Sequence, residues 1–291
     1  MSFFKKLFGS GESKPQTTEE PIKEEVSFDT LKYDGIRALR NGQLDFAEQC
    51  FLQALEREED LEIHDHLSQL YLMRDRLDDA LDEVRLMAEA QPDNHLVWLR
   101  MAHVAFMKED YGMLQEACDK VLSMEENHVE ALLMLGRGAL ATEQWEEAVA
   151  WFTKAINAEP RFVDGYLFRG EAYRHLKLLD EARSDADTLL GMIPDSEDGL
   201  LLMARVEKEG GDLAAAEKRY GQVIDANPFR VEAYQERSEV RMELGDTVGG
   251  VDDIEMAKTL RPEETVGEGN AQEGIEHKVE EAIQNANPLG L

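Results

Sequence analysis

A repeat of about 34 residues is the feature that most constrains how this chain folds. The segment ending at Pro160 reads ATEQWEEAVAWFTKAINAEP, and related segments end at Pro194 and Pro228. One mostly small position recurs at steps of 33 or 34 residues: Ala47, Ala80, Leu114, Ala148, Ala182, Ala216 and Gly250. A second small position keeps the same register: Gly35, Ser68, Ala102, Gly136, Gly170, Ala204 and Ser238. Periods of this length are typical of stacked repeat proteins, in which each unit is one supersecondary element.

Each unit carries two helical patterns separated by a short polar break. In the fourth unit, Leu132, Leu135 and Ala139 share one stripe at helical spacing. A second stripe follows the break and starts at Trp145. Pro160 closes the unit, because proline cannot continue a helix. We therefore predict one antiparallel helix pair per unit, with small residues where the helices cross closely.

The pattern resembles the tetratricopeptide repeat family. In the fifth unit, the residues that carry the resemblance are Tyr166, Gly170, Tyr173, Ala182 and Pro194. The fourth unit matches through Leu132, Leu135, Gly136, Ala148, Phe152, Ala155 and Pro160. The resemblance implies an all-α fold, a right-handed α-solenoid of about seven tandem helix-turn-helix repeats. The repeats are expected at 28–60, 61–94, 95–128, 129–162, 163–196, 197–230 and 231–264.

Three regions follow from this layout: a tail over 1–27, the repeat array over 28–264, and a C-terminal region over 265–291. The tail has a short amphipathic start at 1–9 and then no period, so it is predicted to be disordered. In the C-terminal region, a linker leads to a predicted capping helix at 271–286 and a short final tail. A cap is expected because the end unit of a solenoid exposes an apolar face.

Charge and composition narrow the class of partner. The chain has 31 lysines and arginines against 62 aspartates and glutamates, a formal net charge of −31. This charge repels nucleic acid and anionic lipid, so neither is an expected ligand. Two cysteines are too few for a disulfide framework, and no apolar run reaches the roughly 18 residues of a membrane span. A cytoplasmic protein without a metal or other cofactor is the resulting expectation.

The resemblance implies that a partner peptide or helix lies on a concave surface lined by the first helix of each pair. Helical phase places five lysines and arginines and two acidic residues on that face in the third to sixth units, together with apolar side chains. The predicted peptide-binding groove comprises Arg100, His103, Phe106, Met107, Met134, Arg137, Phe168, Arg174, His175, Leu202, Arg205 and Lys208. A basic and apolar groove predicts a protein or peptide partner that is acidic or ends in a free carboxylate. The alternative is that the arginine stems cover apolar surface and pair with acids of neighbouring helices.

Other functions are less well supported by the residues. Glu171 and His175 lie four residues apart and could form an acid–base pair, but such pairs are more often surface contacts, so no enzyme is predicted. The lysine–asparagine clamp of chaperone-binding family members is incomplete, because Ile36 and His66 stand where asparagines are needed. Two alternatives stay open: a self-assembling protein that uses its own terminus as ligand, and a membrane-tethered assembly factor anchored through residues 1–9.

Overall fold

The computed structural model describes residues 26–261. Within this range the chain forms fourteen α-helices in seven consecutive pairs, as the repeat pattern predicts. We call the first helix of each pair the A helix and the second the B helix. The pairs are α1 (Phe28–Arg40) and α2 (Leu44–Leu55), α3 (Leu61–Met73) and α4 (Leu77–Ala90), α5 (His95–Met107) and α6 (Tyr111–Met124), α7 (Val129–Ala141) and α8 (Trp145–Ala158), α9 (Val163–His175) and α10 (Leu179–Met192), α11 (Glu197–Glu209) and α12 (Leu213–Ala226), and α13 (Val231–Leu244) and α14 (Thr247–Leu260).

The chain divides into two compact units after Arg74. In the first unit, α1 packs on α2, and α3 packs on both of them. In the second unit, each helix from α4 to α14 packs on the next, and A helices also contact one another from α5 through α7 and α9 to α11. The predicted capping helix at 271–286 and the segment 1–9 lie outside the described residues, so the region boundaries drawn from the sequence stay a prediction.

Each turn between an A helix and the B helix that follows it contains a residue in the left-handed backbone region. One residue per turn has a positive φ: Gly42, Asp75, Glu109, Glu143, Lys177, Gly211 and Gly245. Three of these seven positions are glycine, which adopts this conformation without steric cost. In several pairs an aspartate before the B helix caps it; for example, the Asp110 side chain accepts a hydrogen bond from the Met113 N–H.

The small positions are explained by close contact between paired helices. A Cβ atom added to Gly136 would lie 2.3 Å from Cε1 of Phe152, and one added to Gly35 would lie 2.6 Å from Cε1 of Phe51. The third unit carries Leu114 where most units have alanine, and this side chain packs against Gly138 of the next A helix. A larger residue in one repeat is thus accommodated by a smaller one in its neighbour.

Both cysteines are buried free thiols. Burial, together with nearby acidic side chains, raises the pKa of Cys118 to about 12, so this thiol is protonated and unreactive at neutral pH. None of the helices in residues 26–261 is long and apolar enough to cross a membrane.

Candidate peptide-binding site

A pocket of about 470 Å³ opens in the second unit, between A helices α5, α7, α9 and α11 and the start of α8. Its size falls within the range of pockets that bind small ligands or a few side chains. The lining is mixed, with aromatic, aliphatic and charged groups: Phe106, Arg137, Leu140, Ala141, Trp145, Phe168, Glu171, Arg174, His175 and Arg205.

The guanidinium of Arg137 lies within cation–π distance of two aromatic rings of the pocket. Its guanidinium carbon is 4.5 Å from the ring centroid of Phe106 and 5.9 Å from that of Phe168. Cation–π contacts of this kind stabilise the guanidinium, but they leave its charge uncompensated. No carboxylate of residues 26–261 forms an ion pair with Arg137, and its side chain donates no hydrogen bond within that range. Arg137 is therefore available to an anionic ligand.

The other two arginines of the pocket are engaged by glutamates. Arg174 pairs with Glu171, at 2.8 Å, and with Glu209. Arg205 lies 2.6 Å from Glu236 and 2.9 Å from Glu171, so Glu171 bridges the two arginines. Burial lowers the pKa of Arg205, but the hydrogen bonds and charges of Glu236 and Glu171 outweigh it and raise that pKa above its usual value. These two cations are neutralised inside the protein.

An aromatic pair forms another part of the lining. The rings of Trp145 and His175 stack with centroids 4.1 Å apart and planes 7° apart. Burial and the neighbouring Arg174 charge lower the pKa of His175, which favours the neutral imidazole at neutral pH. The pair presents a flat, largely apolar surface beside Leu140 and Ala141.

His103 lies one repeat before Arg137, and the positive charge of Arg137 affects its pKa. Its pKa is lowered first by partial burial of the ring and then by the charges of Arg100 and Arg137, whereas Glu130 acts in the opposite direction. The charges of Arg100 and Arg137 thus both act on His103, although the chain as a whole is acidic.

Comparison with known proteins assigns the family. A sequence profile described as tetratricopeptide repeat matches residues 35–95, 121–197 and 201–264, which together make up more than half of the chain. The chain belongs to the tetratricopeptide repeat family. Tetratricopeptide repeat protein 36 of Bos taurus is 41% identical over 61 residues, which are 21% of this chain and 32% of that protein. Tetratricopeptide repeat protein 6 of Homo sapiens is 27% identical over 146 residues, 49% of this chain and 28% of that protein.

Solved structures of tetratricopeptide repeat and related proteins share the helical solenoid fold. A tetratricopeptide repeat protein from Parabacteroides merdae aligns with a TM-score of 0.70 at 15% identity, over 88% of this chain and 98% of that one. PilW, a type IV pilus biogenesis factor, aligns with a TM-score of 0.63 at 16% identity, over 77% and 98% of the two chains. At these identities the likeness concerns the fold alone. The chain spans less than half of the length of the two curated relatives named above.

Six of the twelve residues predicted for the groove line the pocket: Phe106, Arg137, Phe168, Arg174, His175 and Arg205. Two others are corrected by the structure. Met134 is 5% exposed and Leu202 is fully buried, in a cluster with Ala182 and Met203, so neither presents an apolar surface to a ligand. These side chains are instead part of the core of the second unit.

The remaining four predicted residues lie outside the pocket lining. Lys208 pairs with Glu239 at 2.5 Å, as expected from the alternative in which the basic residues of the A helices pair with acids of neighbouring helices. Arg100 is half-buried, while His103 and Met107 are exposed.

The sequence placed Trp145 on a core-packing stripe and thus missed its role in the pocket. Its position as the first residue of α8, directly after the turn, was the available signal.

Two kinds of chemistry, acid–base catalysis by Glu171 and His175 and metal binding, can be compared with the structure. The carboxylate of Glu171 is bound by Arg174 and Arg205, so it is not free to act as the base suggested by its spacing from His175. In the range 26–261, no three His, Cys, Asp or Glu side chains are grouped so that they could hold a metal ion.

Proposed function

We propose that this tetratricopeptide repeat protein is a non-catalytic interaction scaffold that binds a peptide or helix of a partner protein in the pocket around Arg137. The family fold supports protein–protein interaction in general, and the pocket offers a specific place for it. The partner segment carries at least one carboxylate, from an acidic side chain or from a free C-terminus. The net charge of −31 argues against nucleic acid, and the two buried free thiols are consistent with a reducing, cytoplasmic location.

The observation that carries the proposal is the state of Arg137. A half-buried guanidinium that contacts aromatic rings and has no ion pair with any carboxylate of residues 26–261 retains its capacity for a charge-assisted hydrogen bond. Such bonds are about twice as strong as neutral ones, and the planar guanidinium fits a carboxylate with two parallel hydrogen bonds. The apolar side chains beside it, of which Leu140 and Trp145 are half-buried and Ala141 is exposed, add contact area for the rest of a peptide.

A selection from a random peptide library, followed by fluorescence anisotropy with the selected peptides, tests the proposal. The variant Arg137→Glu should weaken binding by roughly 30-fold or more, because it replaces attraction with repulsion in a partly desolvated site. Arg161→Glu is the matched control: Arg161 is exposed in the turn between α8 and α9, outside the pocket, and the charge change is the same. Equal binding by wild type and both variants would place the site elsewhere, and a failure to select any peptide would contradict the proposal itself.

The two alternatives depend on segments outside the described residues, so no contact in the structure favours them. Self-assembly through residues 1–9 or 287–291 requires a concentration-dependent mass that collapses on deletion of either segment. Membrane tethering requires sedimentation with vesicles that is lost in the Phe3→Ala/Phe4→Ala variant.

A further inference from the structure

The charges along the A helices follow a pattern that changes at α7. One position per repeat, at steps of 34 residues, holds His103, Arg137, Glu171, Arg205 and Glu239. From Arg137 onward the signs alternate, and Arg205 is bound to Glu171. In the other direction the alternation stops, because the residue one repeat before Arg137 is a histidine instead of an acid.

The rest of the pocket therefore has no cation to offer to a ligand. Arg174 and Arg205 share three carboxylates, those of Glu171, Glu209 and Glu236. A ligand carboxylate could bind either arginine only by displacing one of these internal partners and leaving it partly buried and unpaired. Breaking such a pair is unfavourable, and the new bond would replace a bond of the same kind. Arg137 can bind a carboxylate without that loss.

The surface next to Arg137 is apolar. Leu140, Ala141 and Trp145 line the pocket together with the two rings that hold the guanidinium. A ligand that satisfies both parts carries a carboxylate close to an apolar side chain. Because residues of four A helices line the pocket, a bound segment crosses several repeats, and we expect its carboxylate to come from an aspartate or glutamate side chain and not from a chain end.

We infer that the pocket selects a partner segment with a single aspartate or glutamate, which binds Arg137, flanked by an apolar side chain that packs on Leu140, Ala141 and Trp145. This inference rests on the proposed function and specifies its ligand. Additional acidic residues do not strengthen binding, because the other arginines of the pocket are already paired.

Three capped and amidated heptapeptide libraries test this selectivity by fluorescence anisotropy on the full chain. One has a fixed central Asp among random apolar and small residues, one has Asn in its place, and one has three consecutive Asp residues. The Asp library is expected to bind about tenfold or more tightly than the Asn library, a difference of about 1.4 kcal/mol. The triple-Asp library is expected to bind no more tightly than the single-Asp library.

Protein variants then assign the preference to Arg137. Arg137→Gln should remove the difference between the Asp and Asn libraries, whereas the matched control Arg161→Gln should retain it. The comparison of libraries on the wild-type protein needs no variant, so it decides the question even where Arg137→Gln does not fold. Binding of the Asn library equal to that of the Asp library would overturn the inference and leave the proposed scaffold function standing. Tighter binding of the triple-Asp library would overturn it as well, and binding of none of the libraries would contradict both proposals.

The source of the carboxylate is tested in the same format. An Asn library with a free C-terminus carries one carboxylate at its chain end. If it binds as tightly as the amidated Asp library, and this binding is lost in Arg137→Gln, the assignment to a side-chain carboxylate is wrong. Weak binding of that library supports the assignment.

Discussion

Substitution of Gly136 by alanine tests how the repeat core supports the pocket. An added Cβ atom would lie 2.3 Å from Cε1 and 2.6 Å from Cζ of Phe152, which is fully buried. The Phe152 ring must therefore move. It stacks on Phe168 with centroids 5.7 Å apart, and Phe168 in turn lies 5.9 Å from the guanidinium of Arg137. The substitution thus perturbs both the core and the ring that positions the pocket arginine.

The expected magnitude combines two opposing effects. Overpacking a well-filled core costs about 1–3 kcal/mol, because side chains and backbone must shift. Alanine is favoured over glycine in a helix interior by about 1 kcal/mol, which offsets part of that loss. The net expectation for Gly136→Ala is a destabilisation of up to about 2 kcal/mol.

Gly221 provides a matched control in the middle of α12. An alanine Cβ at this position meets only an Arg237 guanidinium nitrogen, at 3.8 Å, which is an ordinary contact. Gly221→Ala should therefore stabilise the protein by up to about 1 kcal/mol through helix propensity and loss of unfolded-state freedom.

Guanidinium unfolding followed by far-ultraviolet circular dichroism measures both variants. Repeat arrays do not always unfold in one step, so hydrogen exchange over α7 and α8 should localise the effect of Gly136→Ala. If Gly136→Ala is as stable as Gly221→Ala, the close contact with Phe152 does not constrain the core and the reasoning is refuted.

Two further predictions concern titration and a buried ion pair. The His103 pKa, measured by NMR, should lie below its usual value and should rise in Arg137→Gln. Because a bound carboxylate also raises this pKa, peptide affinity should increase as the pH falls through the interval between the pKa values of the free and the bound protein. A flat affinity profile over about pH 5–7 would contradict this expectation. Asp185 is 4% exposed and accepts two hydrogen bonds from Arg169, of 2.8 and 2.7 Å. Asp185→Ala should lower the free energy of unfolding by about 3–5 kcal/mol in the same assay, because the charge of Arg169 would be left uncompensated. A loss below about 1 kcal/mol would be inconsistent with a buried ion pair.

The helices could be predicted from the sequence because the same constraints recur in each repeat. The seven helix pairs fall in the predicted repeat ranges. The small residues at Gly35 and Gly136 mark the close helix crossings that the pattern indicated. Averaging over seven units makes such a signal strong even where one unit departs from it, as Leu114 does.

The pocket was only partly predictable, for two physical reasons. Helical phase identifies the side of an A helix that faces away from its B helix, but part of that side packs into the core. Leu202 is fully buried there, whereas Phe168, one repeat earlier, lines the pocket. In addition, helical phase does not show which acidic residues form ion pairs with the basic residues of the A helices. The partners of Arg205 lie 34 residues before it and 31 after it, at Glu171 and Glu236.

The availability of Arg137 depends on its neighbours along the A helices. Glu171, one repeat later, is already shared by Arg174 and Arg205, and His103, one repeat earlier, supplies no negative charge. Since its pKa is lowered, His103 is mostly neutral at neutral pH, so it neither pairs with Arg137 nor adds a second positive charge beside it. Aromatic contacts then hold the guanidinium without consuming its charge. Because charges of the acidic surface are screened over about 8 Å at physiological salt, selection of a carboxylate is a local property of this pocket.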